Sequence, residues 1–99
     1  MLFTFIGQDN QHSLALRKQH RPAHLARLAD LQDTGRLIIA GPLLTTAADS
    51  LDQSEFSGSL IIAEFDSLSD AQNWAKEEPY MVAGVFKHFE VKPFKQVLP

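Results

Sequence analysis

The segment Gly58-Ser59-Leu60-Ile61-Ile62-Ala63-Glu64-Phe65 constrains this chain more than any other. Its β-branched and aromatic content reads as a strand, and it is apolar at both parities: Leu60 and Ile62 on one side, Ile61, Ala63 and Phe65 on the other. Arg36-Leu37-Ile38-Ile39-Ala40-Gly41-Pro42 repeats the pattern, with Leu37 and Ile39 against Ile38 and Ala40. An antiparallel strand with one face in water alternates apolar with polar residues. These two do not, so both faces of their sheet need a cover. With 99 residues the chain makes a single domain, 1–99, and a domain this small has limited means of covering both faces itself.

The remaining segments supply one of the two covers. Residues 2–7 read as a first strand ending at Gly7, and residues 8–12 as a turn. Ser13 suits a helix start, and the pattern from Leu14 to about Asp33 is helical. Pro22 interrupts it. The expectation is a short first segment and then a main helix with Pro22 in its first turn, ended by Thr34-Gly35. The second strand closes at Gly41-Pro42, and a long polar loop runs from Leu43 to Ser57. After the third strand, Ser67 or Ser69 caps a second helix over Asp70 to about Glu78, with Ala71, Trp74 and Ala75 inward; Pro79 stops it. Gly84, a position for positive φ or close approach, precedes a last strand from Val85 to Phe94. The order β-α-β-β-α-β predicts an α+β, ferredoxin-like fold: one antiparallel sheet with two helices on one face. The sheet of a second copy is expected to cover the other face in a two-fold homodimer, with association into a higher oligomer left open.

Charge and composition narrow the function. Nine Lys plus Arg against twelve Asp plus Glu give a formal charge of −3, which argues against nucleic acid as a partner. The absence of cysteine excludes disulfides and thiolate chemistry. Histidines 20 and 24 are four apart but lack the glutamate of an HExxH zinc motif, so neither a metal nor another cofactor is expected. The apolar run at the N-terminus is short and has no charged leader, and no run is long enough to span a bilayer. A cytoplasmic protein with no membrane partner is the expectation.

His24 is the residue best suited to chemistry. Steps of three and four place Arg17, Arg21, His24, Leu28 and Leu31 on one helix face, crowded by Leu14 and Leu25. A core-directed imidazole needs a partner, and histidine titrates nearest neutrality. If the main helix starts at Pro22, the helix dipole also disfavours its charged form. A hydrogen-bonded structural histidine is the plain alternative. Arg17, on the same stripe, could hold an anionic small molecule or pair with Asp9, Glu78 or a partner-chain carboxylate. Ser59, at the mouth of the third strand, is a candidate hydroxyl donor or an ordinary strand-end serine. Tyr80 could offer its hydroxyl to a pocket or pack, and Gly41 and Pro42 shape a strand exit near that pocket. Trp74 reads as core, and His12, His20, His88, Lys18 and Arg27 as solvated surface.

Six pieces in order carry a family resemblance: His24-Leu25-Ala26-Arg27-Leu28, Gly35-Arg36-Leu37, Ala40-Gly41-Pro42, Phe56-Ser57-Gly58-Ser59, Glu78-Pro79-Tyr80 with Ala83-Gly84-Val85, and Val91-Lys92-Pro93-Phe94. Over almost its whole length the chain resembles the YciI-like, or YCII-related, proteins, which are small dimeric α+β barrels. The resemblance implies an active site built on a His–Asp pair, with the histidine at His24 and the carboxylate at Glu78, where the family's aspartate is one methylene shorter. It also implies small-molecule chemistry: some relatives act on small aromatic ring compounds, for example in the dehydrochlorination of chlorinated hydroxyquinols. Two functions follow as expectations. One is an enzyme in which His24, oriented by Glu78, performs metal-free acid–base chemistry on a small aromatic or enolisable substrate. The other is a non-catalytic module that binds a small ligand or serves as an accessory dimer. Haem handling, known among dimeric α+β barrels, is a thin third, since a single histidine is available as ligand.

Overall fold

The computed structural model describes residues 1–47 and 56–99. Its elements are β1 (Leu2–Asp9), α1 (Leu14–Asp33), β2 (Leu37–Leu44), β3 (Phe56–Glu64), α2 (Leu68–Lys76), α3 (Pro79–Val82) and β4 (Phe86–Phe94). The strands form one sheet in the order β2-β3-β1-β4. Every pairing in it is antiparallel. This is the expected α+β, ferredoxin-like arrangement with one short helix added before β4.

One sheet face carries the core. Alternation along β1 buries Phe3 and Phe5 and turns Thr4 and Ile6 the other way. Opposite them, Phe3 pairs with Ala63 and Phe5 with Ile61. These side chains pack with Leu28 and Leu31 of α1, Ala71 and Ala75 of α2, and Phe65. The Phe5 ring meets Trp74 at 5.1 Å and Phe65 at 5.5 Å, both edge to face, a preferred aromatic geometry. Trp74 is therefore core, as its spacing suggests. α2 starts at Ser67, whose hydroxyl accepts from the Asp70 amide at 3.1 Å.

Four local expectations are corrected. α1 runs unbroken from Leu14 to Asp33 with Pro22 inside it, so His24 lies in mid-helix and the dipole argument lapses. Only Arg17, His24, Leu28 and Leu31 of that face are buried; Leu25 is exposed, and so is Arg21. In β2 a register shift sets Leu37 against Ala63 but Ile39 against Ile62. Leu37 and Ile39 thus fall on opposite faces, because a bulge adds one residue and inverts the parity after it. Finally, Gly41-Pro42 does not close β2, which continues to Leu44. Proline is tolerated there because β2 is an edge strand, paired to β3 alone. The polar loop is correspondingly shorter than 43–57, and its residues 48–55 lie outside the described ones.

Candidate active site

The chain after α2 builds the acidic half of the site. Glu78 is the N-cap of α3, with extended backbone (φ −62°, ψ 126°), and Pro79 occupies the first helical position. Its side chain folds back so that Oε2 accepts from the Tyr80 amide at 2.6 Å. The same carboxylate presents Oε1 to Nδ1 of His24, reaching across from α3 to α1. Glu78 is fully enclosed and both of its oxygens are thereby satisfied. The extra methylene relative to aspartate does not separate the acid from the imidazole. Gly84, with φ 83°, lets the backbone turn from α3 into β4.

Tyr80 packs where it could have reached into a pocket. Its ring stacks on the imidazole of His24 with centroids 4.0 Å apart and planes 12° from parallel. It is 2% exposed, and its hydroxyl donates to the Arg17 carbonyl at 3.3 Å. Burial pushes the phenol pKa up, against the pull of the nearby Arg17 and Arg21 charges. Tyr80 therefore remains a donor through the physiological range.

Arg17 lies two turns before His24 and is equally buried. Nε donates to Asp9 Oδ2 at 2.7 Å and Nη2 to Asp9 Oδ1 at 3.1 Å, a bidentate ion pair. Nη2 also reaches the Gly58 carbonyl at 2.8 Å and the Ser59 hydroxyl at 2.9 Å. Gly58 is required by the close β1–β3 pairing beneath Arg17: a Cβ there would fall 1.9 Å from the Gly7 carbonyl oxygen. Of the partners open to Arg17, Asp9 takes it. Ser59 is buried and accepts from Arg17. Gly41 and Pro42 sit on exposed backbone of β2 opposite Leu60 and Ser59.

Arg27 departs from its expected place on a solvated face. Its guanidinium lies 4.3 Å from the Trp74 ring centroid and donates to the Trp74 carbonyl at 2.9 Å. Burial lowers its pKa against the pull of Glu78, Glu77 and Asp30. The two residues are 47 apart, and no local pattern connects them. His12 and His88 are exposed and His20 is half-buried. Among the described residues, no group of three or more His, Asp or Glu side chains is placed to hold a metal ion. No helix of the described residues is long and apolar enough to cross a membrane.

The second imidazole nitrogen decides what the pair can do. Among the described residues, Arg27 Nη1 is the one fully enclosed side-chain nitrogen or oxygen without a hydrogen-bond partner. Nε2 of His24 makes no hydrogen bond to a described residue and is not among the fully enclosed unpartnered atoms; the residue as a whole is 7% exposed. An ionised carboxylate only accepts, which puts the hydrogen of a neutral imidazole on Nδ1 and leaves a lone pair on Nε2.

A YCII-related domain matches residues 1–95. The chain belongs to the YCII-related family. Protein YciI of Escherichia coli O6:H1 is 50% identical over 97 residues, covering 98% of this chain and 99% of that one. An uncharacterised protein of Haemophilus influenzae is 40% identical over 97 residues with the same coverage. Among solved structures, 5-chloro-2-hydroxyhydroquinone dehydrochlorinase (TftG) from Burkholderia phenoliruptrix AC1100, in complex with 2,5-dihydroxybenzoquinone, superposes with a TM-score of 0.84. That structure is 30% identical and covers 96% of this chain and 94% of its own. The YCII-related fold is thus shared with an enzyme that acts on a small hydroxylated ring.

Proposed function

We propose that this protein is a small-molecule enzyme in which His24 and Glu78 perform acid–base chemistry on a small hydroxylated aromatic or enolisable compound. The observation that carries the reading is the division of Glu78: one oxygen on the Tyr80 amide, the other on His24 Nδ1. That division holds the imidazole in one tautomer and leaves Nε2 as the outward base. Proton uptake at Nε2 makes an imidazolium, which the buried carboxylate stabilises. Dehydrochlorination removes a proton and a chloride, and His24 would supply the proton acceptor. The catalytic reading is preferred to a non-catalytic ligand-binding or accessory module because the similar solved structure is an enzyme and the imidazole keeps an unpartnered nitrogen.

Within this reading Arg17, Ser59 and Tyr80 line and brace the side of the site towards β3, while Gly41 and Pro42 shape its rim. A second copy of the chain covers the open sheet face, and the working form is a homodimer acting on a small molecule without nucleic acid or membrane, in the cytoplasm. The test is turnover of 5-chloro-2-hydroxyhydroquinone, followed by chloride release and quinone absorbance. Replacing His24 with Gln is expected to lower kcat/KM by about 10²- to 10⁴-fold, the usual contribution of a general acid–base group. An unchanged kcat/KM would remove His24 from the mechanism.

A further inference from the structure

A second polar site lies at the opposite end of the catalytic stripe of α1. A cleft of about 290 Å³ opens at the start of that helix, lined by Asp9, His12, Ser13, Leu14, Arg17 and Phe56 among others. Ser13 is the N-cap residue, yet its backbone (φ −90°, ψ 0°) is not extended and its side chain caps nothing. The amides of Leu14, Ala15 and Leu16 therefore keep the unsatisfied hydrogens of a helix start. The first turn holds no acidic residue that would compensate them.

An independent observation points to a ligand. Ser13 is 93% buried (7% exposed), its hydroxyl makes no hydrogen bond among the described residues, and that hydroxyl is not among the enclosed unpartnered atoms. Ser13 lines the cleft, so an unpartnered and almost wholly buried hydroxyl borders it. Nη1 of Arg17 is in the same condition: the other nitrogens of that buried guanidinium are engaged, while Nη1 has no partner among the described residues and is not among the enclosed unpartnered atoms. The Asp9 carboxylate also lines the cleft, but its two oxygens are both committed to Arg17, so the pair is neutral as a unit. Beside the amide side chains of Asn10 and Gln11, the cleft then offers the Ser13, Arg17 and first-turn donors, the positive end of a 20-residue helix and the apolar walls of Leu14 and Phe56.

We infer that this cleft binds a small carboxylate with an apolar body. The carboxylate oxygens meet the first-turn amides of α1, the Ser13 hydroxyl and Arg17 Nη1, and the apolar part rests on Leu14 and Phe56. A helix start is well suited to an anion because its amides converge and its dipole favours negative charge. The cleft is centred away from the acid–base pair, since Ser13 precedes His24 by eleven residues, about 16 Å along a helix; Arg17, which also braces the active site through Tyr80, lies between the two.

Benzoate added to the ¹⁵N-labelled full chain tests this, with sodium chloride at matched ionic strength as the control. The expected result is a saturable shift of the Leu14, Ala15 and Leu16 amide signals with benzoate and none with chloride. Ser13→Asp supplies an internal carboxylate to the same amides, and it is expected to abolish the benzoate response while the remaining amide signals stay in place. Unmoved first-turn amides overturn the proposal. So do shifts equal in benzoate and chloride, or a benzoate response that persists in Ser13→Asp. The readout needs no turnover, so it stands or falls apart from the role of His24.

Discussion

Glu78 couples three decisions at one side chain: it caps α3, it fixes His24, and it is buried while doing both. A carboxylate in that position is stable only while both oxygens have donors, and stripping one away leaves an uncompensated buried charge at a cost of about 3–5 kcal/mol. Glu78→Gln separates the roles. The Tyr80 amide can only donate, so it takes the carbonyl oxygen of the new amide and turns the NH₂ towards His24. Nδ1 must then accept, and the ring hydrogen moves to Nε2. The ¹⁵N shifts of the imidazole are expected to report Nδ1–H in the wild type and Nε2–H in Glu78→Gln, with loss of the outward base; an unchanged tautomer contradicts the proposed orientation. Tyr80 permits a second prediction. Its folded-state pKa lies above the unfolded value, chiefly through burial. The stability it contributes is thus fully present below about pH 10, the unfolded tyrosine pKa, and is lost as pH rises from there through the folded pKa. Tyr80→Phe should flatten the loss of stability above that pH in urea titrations, and an identical alkaline profile would contradict the burial argument. Little of this could be read locally. His24 and Glu78 are 54 residues apart, and periodicity marked the histidine as inward without naming its partner, which came from family resemblance.

At the scale of elements, the misreadings have a common origin. Local rules were sound, and tertiary packing overrode them. Pro22 should break a helix, and it removes the hydrogen bond its amide would make to the Lys18 carbonyl. α1 nevertheless passes through, because His24, Leu28 and Leu31 after it and Arg17 before it are fastened to the same sheet and to α3. A helix held by tertiary contacts can carry one proline on its exposed side, where Pro22 lies. The penalty is still there to recover. Pro22→Ala is expected to raise the urea midpoint at an unchanged m-value, by the equivalent of about 1–3 kcal/mol. No gain would mean that the helix already relieves the proline locally. α3 was hidden for the opposite reason. Pro79 marks both the end of one helix and the first turn of another, and sequence alone gives no priority between them. The β2 bulge likewise leaves no trace in a segment that is apolar at every step.

For the whole molecule, the informative surface is the bare side of the sheet. Ile6 and Ile39 are 39% and 54% exposed on it, and Leu60 and Ile62, half-buried, lie between them in the central strand pair. The helices are all spent on the other side. This was legible from the start, because a strand apolar at both parities makes sense only if both faces are covered; which molecule covers the second face is a matter between chains. A contiguous apolar patch at the centre of a sheet marks an interaction site. The β4 margin of that face carries His88, Glu90 and Lys92, so the patch is rimmed by charge on that side. Under the homodimer proposal the wild type sediments at twice its 11.1 kDa chain mass. Ile39→Lys places a charge where the partner would sit. Because that position is already open to water in the single chain, the fold should survive with its circular dichroism unaltered while the sedimenting species halves in mass. A variant that sediments like the wild type would place the interface elsewhere, and a monomeric wild type would leave the apolar strand pair without the cover its sequence demands.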